Sequence, residues 1–130
     1  MVIRAGTTSF SMNVQLFDDT NGAPKTGLAY DSAGVNISYA RAGAARVAVT
    51  EATLAAADSA YSSGGFKEID ATNMAGEYRF DVPDAALATG ANLVTIYFAF
   101  TDVRSKSVDI YLTMVGTDSA STTGQAGMRD

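Results

Sequence analysis

The chain reads as an all-β protein: an antiparallel, immunoglobulin-like β-sandwich of about seven strands, with one short helix and extended termini. Three observations carry that expectation. Short stretches alternate apolar and polar residues with period two, as half-buried strands do. Clusters of Gly, Asn, Asp and Pro separate them at the spacing of a sandwich. No β-helix-β alternation argues for a parallel sheet. The 130 residues divide into an N-terminal arm (1–7), a sandwich domain (8–115) and an extended C-terminal tail (116–130).

Ser9 to Phe17 gives the clearest N-terminal strand, with Phe10, Met12, Val14 and Leu16 on one face. Asp18-Asp19-Thr20-Asn21-Gly22-Ala23-Pro24 is a turn cluster, because Asn-Gly supplies positive φ and proline fixes its own. The loop runs on through Gly27, with Leu28 and Tyr30 dipping toward the core. Val35 to Arg41 alternates again, placing Val35, Ile37 and Tyr39 inward. Arg46 to Val49 is a short third strand. Thr50 then reads as an N-cap for an alanine-rich helix to about Ala60, in which only Leu54 is large.

The stretch from Gly65 to Gly90 organises the middle of the chain. Phe66 to Ile69 is a strand, and Glu77 to Val82 is another. Its alternation turns Tyr78, Phe80 and Val82 toward the core and Glu77, Arg79 and Asp81 toward water. Pro83 closes it, since proline cannot donate to a ladder. Asp84 to Leu87 reads as one helical turn that tucks Leu87 under the sheet before Gly90.

Asn92 to Thr101 is the most apolar segment. Val94, Ile96, Phe98 and Phe100 face one way, and Leu93, Thr95, Tyr97 and Ala99 the other. A strand apolar on both faces is central or covered by a partner chain. Asp102 to Lys106 is a polar turn. Val108 to Val115 is the last strand, with Val108, Ile110, Leu112 and Met114 inward. Past Gly116 the chain offers no large core former except Met128, so on its own the tail is expected to be disordered.

Composition narrows the function classes. The net charge of −5, with acids and bases interspersed, speaks against a nucleic-acid binder or electrostatic docking on an anionic membrane. No segment has the length of an apolar membrane span, and Met1 to Gly6 lacks the apolar core of an export signal. The expectation is a chain made in a cytoplasm. With no cysteine and no histidine, thiolate sites, imidazole metal ligands and Ser-His-Asp arrangements all fall away.

What remains is weak chemistry. Asp18 and Asp19 have the oxygen density of a cation loop without the spacing of an EF-hand, and a tight turn wants the same residues. Paired carboxylates for sugar hydrolysis need aromatic platforms, and the chain has no tryptophan. Lys67 near Ser62 and Ser63 reads as a solvated lysine. Arg41 and Arg46 flank a small-residue segment that reads first as a solvated hairpin, with an acidic neighbour as the alternative. No catalytic, cofactor-binding or metal-binding residue is assigned, and the chain is expected not to be an enzyme.

Two stretches carry a resemblance. They are Arg41-Ala42-Gly43-Ala44-Ala45-Arg46-Val47 through Thr53-Leu54-Ala55, and Gly65-Phe66-Lys67-Glu68-Ile69-Asp70 followed by Asn73-Met74-Ala75-Gly76-Glu77-Tyr78-Arg79-Phe80-Asp81-Val82-Pro83-Asp84-Ala85. Together they resemble a β-sandwich module of tailed-bacteriophage virion proteins, over roughly residues 3–115. The usual form of that module has proline where this chain has Ala75. The resemblance implies a virion structural protein assembled in the host cytoplasm. It implies a capsid decoration (cement) protein first, and a tail-fibre, baseplate or neck adaptor second; a carbohydrate-binding module is the third reading. The partners it implies are the major capsid protein or other virion proteins, together with copies of the chain itself in a homo-oligomer, a trimer by preference. The residues expected to make those contacts are Met1, Val2 and Ile3 in the arm, Leu93 and Tyr97 on the outer strand face, and Gly116 and Met128 in the tail.

Overall fold

A computed structural model describes residues 1–114. Among these residues, nine strands form two sheets. The first contains β1 (Val2–Arg4), β3 (Asn36–Arg41), β4 (Val47–Ala48), β8 (Leu93–Ala99) and β9 (Lys106–Thr113), in the order β1-β9-β8-β3-β4. The second contains β2 (Ser11–Gln15), β5 (Ala52–Thr53), β6 (Gly65–Asp70) and β7 (Met74–Asp81), in the order β2-β7-β6-β5. With β3-β8-β9 facing β2-β7-β6, the order is that of an immunoglobulin-like sandwich carrying an extra edge strand. The expected fold class holds.

The seven strands read from periodicity are β2, β3, β4, β6, β7, β8 and β9. The inner ladders are antiparallel, but two edge pairings are parallel. β1 runs parallel to β9, with Val2 opposite Tyr111 and Ile3 opposite Leu112. β5 runs parallel to β6. The stretch read as an arm is therefore partly an edge strand. It pairs with β9 along one edge, a long-range pairing that alternation in so short a run does not announce.

The core lies between the sheets and follows the expected inward sets. Met12, Val14 and Leu16 from β2 and its end meet Ile37, Val94, Ile96, Phe98 and Ile110 from the opposite layer. Phe80 of β7 meets Phe98 of β8 edge to face, with ring centres 5.2 Å apart. Phe66 stacks on Tyr78 at 4.9 Å. Such pairs add to the area they bury because ring edges and faces carry opposite partial charge. Leu28 and Tyr30 pack against the core as expected. After Pro83 a 3-10 turn, Asp84–Leu87, buries Ala86 and Leu87.

Three expectations are corrected. The alanine-rich run after Thr50 is not a helix. Ala52 donates to the Gly64 carbonyl, and the carbonyls of Ala57 and Ser59 accept from Arg79 Nη1 at 2.9 and 2.6 Å. Long-range partners take the backbone groups that a helix would use internally, so propensity loses to tertiary structure. Second, Arg79 and Asp81 do not face water: both are buried, because the 54–63 segment lies over the outer side of β7. Third, Met114 is 73% exposed, since β9 ends at Thr113 and the inward alternation stops with it.

Candidate interaction surface

The first sheet presents its outer side to solvent, and register fixes what stands there. Buried Val94, Ile96 and Phe98 alternate along β8 with Leu93, Thr95, Tyr97 and Ala99, so the latter set faces out. Cross-strand pairing then places Val2 abreast of Tyr111, and Tyr111 abreast of Leu93. The three form an apolar row across β1, β9 and β8. Val2 is 68% exposed and Tyr111 54%. Exposed apolar residues are ordinary singly; a contiguous row of them marks a surface that gains by being covered.

Next to this row the face turns polar. Thr95 stands opposite Asp109 and donates its hydroxyl to Oδ1 at 2.8 Å. Beyond it Tyr97, 36% exposed, stands opposite Ser107 on one side and Ser38 on the other. The small residues Ser38 and Ala40 on β3 leave a trough of about 270 Å³ between Tyr97 and Arg46. Arg46 is held in place by Asn36, whose Oδ1 accepts from its Nη2 at 2.7 Å.

The structure thus puts Leu93 and Tyr97 on one face, as expected, and adds Val2 to it through β1. Met1 continues that edge, its carbonyl accepting from the Tyr111 amide. Ile3 points the other way and packs against the core, so it is not a surface contact. Gly116 and Met128 lie outside the described residues. Tyr111 was not singled out from the sequence; the alternation of β9 could have found it, but its place in a row depends on β1 pairing.

The remaining polar candidates serve the fold. Arg41 closes over the corner after β7: its guanidinium donates to the carbonyls of Ala85, Ala86, Ala88 and Thr89 at 2.8 to 3.2 Å. Most of its guanidinium is thus spent on the fold, on the chain's own carbonyls. Asp18 accepts from the Thr20 amide and from Lys25 Nζ. The backbone bond, then the lysine, holds its carboxyl below the ordinary value. Both oxygens are engaged by the turn they build. Among the described residues no group of three acidic, histidine or cysteine side chains converges as a metal site would require. Glu68 Oε1 accepts from the Gly27 amide, while Oε2 is buried without a hydrogen-bond partner next to Tyr78.

Comparison with protein-family models, curated proteins and solved structures finds no match for this chain.

Proposed function

We propose that the chain is a non-enzymatic structural protein of a phage virion, a decoration protein that docks on the capsid through the outer face of its five-stranded sheet. The observation that carries the docking half is the row Val2–Tyr111–Leu93, exposed at Val2 and Tyr111 and half-buried at Leu93. The resemblance of the 41–55 and 65–85 stretches to phage virion modules supports the virion half. Removing apolar surface from water yields roughly 25 cal/mol per Å², so a row of this size gives a weak single contact. Joining copies in an oligomer compensates, because one bound subunit holds the others' faces at high effective concentration over the shell. The major capsid protein is the partner this reading names.

The test is the copy number of the chain in purified particles, measured by mass spectrometry against the major capsid protein. A simple ratio to the capsid protein is the expected result. A few copies per particle would move the chain to the tail, baseplate or neck, and its absence from particles would overturn the virion reading altogether.

A further inference from the structure

The trough beside Tyr97 lies apart from the apolar row and holds two polar groups without partners. Its floor is β3, where Ser38 and Ala40 turn outward; Tyr97 with Thr95 forms one wall and Arg46 the other. The walls rise from strands on either side of β3, two strand spacings or roughly 10 Å apart, so one flat group fits between them. The volume of about 270 Å³ suits an occupant of one ring, since drug-sized ligands take roughly 300–1,000 Å³. The register of β4 sets Arg46 beside Ala40, and its side chain runs back to Asn36, whose Oδ1 accepts from Nη2 at 2.7 Å. That bond fixes the guanidinium, and among the described residues no carboxylate pairs with it. Ser38 is only 4% exposed, and its hydroxyl makes no hydrogen bond among the described residues. Unlike Glu68 Oε2, that hydroxyl is not sealed from solvent, and the space it opens onto is the trough.

We infer that the trough binds a small molecule made of a flat ring bearing a carboxylate, the size of benzoate. The ring lies over Ala40 against the face of Tyr97, where aromatic groups gain from offset stacking. The carboxylate points toward Asn36 and accepts from the free N–H groups of Arg46 and from the Ser38 hydroxyl. A planar fork facing a carboxylate gives the shorter, stronger bonds of a charged pair. A neutral ring would leave Arg46 and Ser38 without partners, and a bare inorganic anion would leave the apolar walls wet. Asn36 is a positioning residue, acting through Arg46. The site spans the level of Asn36 to Ala40, whereas Leu93 accepts from the Ala42 amide, four residues or roughly 13 Å along β8 from Tyr97. A one-ring occupant therefore leaves Leu93 and Tyr111 uncovered, and the inference does not rest on the virion reading.

The experiment is a nuclear magnetic resonance titration of the isotope-labelled full chain with sodium benzoate, and with benzamide as the uncharged probe of the same shape. The expected result is saturable benzoate binding, with a Kd on the order of millimolar for so few atoms. The shifts centre on the amides of Asn36, Ser38, Ala40, Arg46 and Tyr97. Benzamide binds at least about tenfold more weakly, because it lacks the charge that Arg46 meets. Arg46→Gln brings benzoate down to the level of benzamide and leaves benzamide unchanged, a difference that a purely structural role for Arg46 would not produce. Tyr97→Leu weakens both probes without altering charge, and serves if the arginine change disturbs folding. No saturable shift with benzoate, equal affinity for the two probes, or shifts centred away from the trough would overturn the inference.

Discussion

Arg79 and Asp81, two residues apart on β7, form a bidentate ion pair on the outer side of the second sheet. Nε and Oδ1 are 2.8 Å apart, as are Nη2 and Oδ2. The carboxylate accepts four hydrogen bonds in all and the guanidinium donates four. Asp81 also accepts from the Ser11 hydroxyl and the Ser62 amide, and Arg79 also donates to the Ala57 and Ser59 carbonyls. The pair ties β2, β7 and the 57–62 segment into one unit. It is the polar counterpart of the core on the other side of the strand.

Removing one member should cost far more than removing both. Arg79→Met leaves the fully buried Asp81 carboxylate without its cation, and the expected loss is about 3–5 kcal/mol. Asp81→Leu strands the guanidinium in the same way. The double variant should recover much of that, with a residual loss from the freed Ala57 and Ser59 carbonyls. Urea denaturation of all four proteins, read as a double-mutant cycle, checks this; additive single losses would contradict it.

Acid should weaken the fold through the same carboxylate. Burial pushes the Asp81 carboxyl up, but donors from Arg79, Ser11 and Ser62 outweigh it and hold it below the ordinary value of 3.8. A folded value below the unfolded one adds stability that is complete above about pH 4 and is lost as pH falls through the folded value. Asp70, lowered by the amides of Asn73 and Thr72, works in the same direction from an exposed turn. The urea midpoint should be flat between about pH 7 and 5 and fall below about pH 4. In Asp81→Asn that fall should be shallower.

At the alkaline end Tyr78 takes over. Burial, and the nearby Glu68 carboxylate, push its hydroxyl up to about 12 from 10.0. Its oxygen donates to the Lys25 carbonyl at 2.7 Å and accepts from the Leu28 amide at 3.2 Å, pinning the loop that leads to β3. Because the folded value is the higher one, the neutral phenol contributes fully below pH 10 and its contribution disappears as pH rises toward 12. Ultraviolet titration of tyrosinate should show a group near 12 that is absent in Tyr78→Phe. That variant should lose about 1–3 kcal/mol, since two loop backbone groups are left unpaired.

Gly76 should tolerate no side chain. It sits within β7 at φ +82°, where pairing with β6 shifts register between Glu68 and Asp70. An added Cβ would stand 2.8 Å from Pro24 Cβ and 2.9 Å from the Leu16 carbonyl oxygen. Gly76→Ala should lose the roughly 1–2 kcal/mol of a left-handed backbone and more for the contact. Gly27→Ala and Gly43→Ala, also at positive φ but with nothing within 4 Å, should lose the backbone part only. Equal losses at all three sites would show that the close approach does not matter.

Alternation made most of the fold legible. Period-two stretches located seven strands and the inward residues of β2, β3, β7 and β8, because one buried face leaves no freedom of register. It failed where the partner was remote. Nothing around Ala55–Ser59 signals that Arg79 will claim its carbonyls, and a β7 alternation that reads as facing water is covered by that same segment. The surface was half legible for the same reason. Leu93 and Tyr97 are visible as the second apolar face of one strand, whereas the row with Val2 and Tyr111 exists only through the parallel β1–β9 pairing.

The most direct test of the docking face is incorporation into particles. The chain and its Val2→Asp/Tyr111→Asp variant would each be supplied to particles lacking the protein, and the bound amount of each measured by mass spectrometry against the capsid protein. Both side chains are exposed, so the variant should fold as the parent does, which circular dichroism and urea denaturation would verify. The expected result is stoichiometric binding of the parent and loss of the variant. Equal incorporation of the two would contradict the assignment of this row as the docking surface.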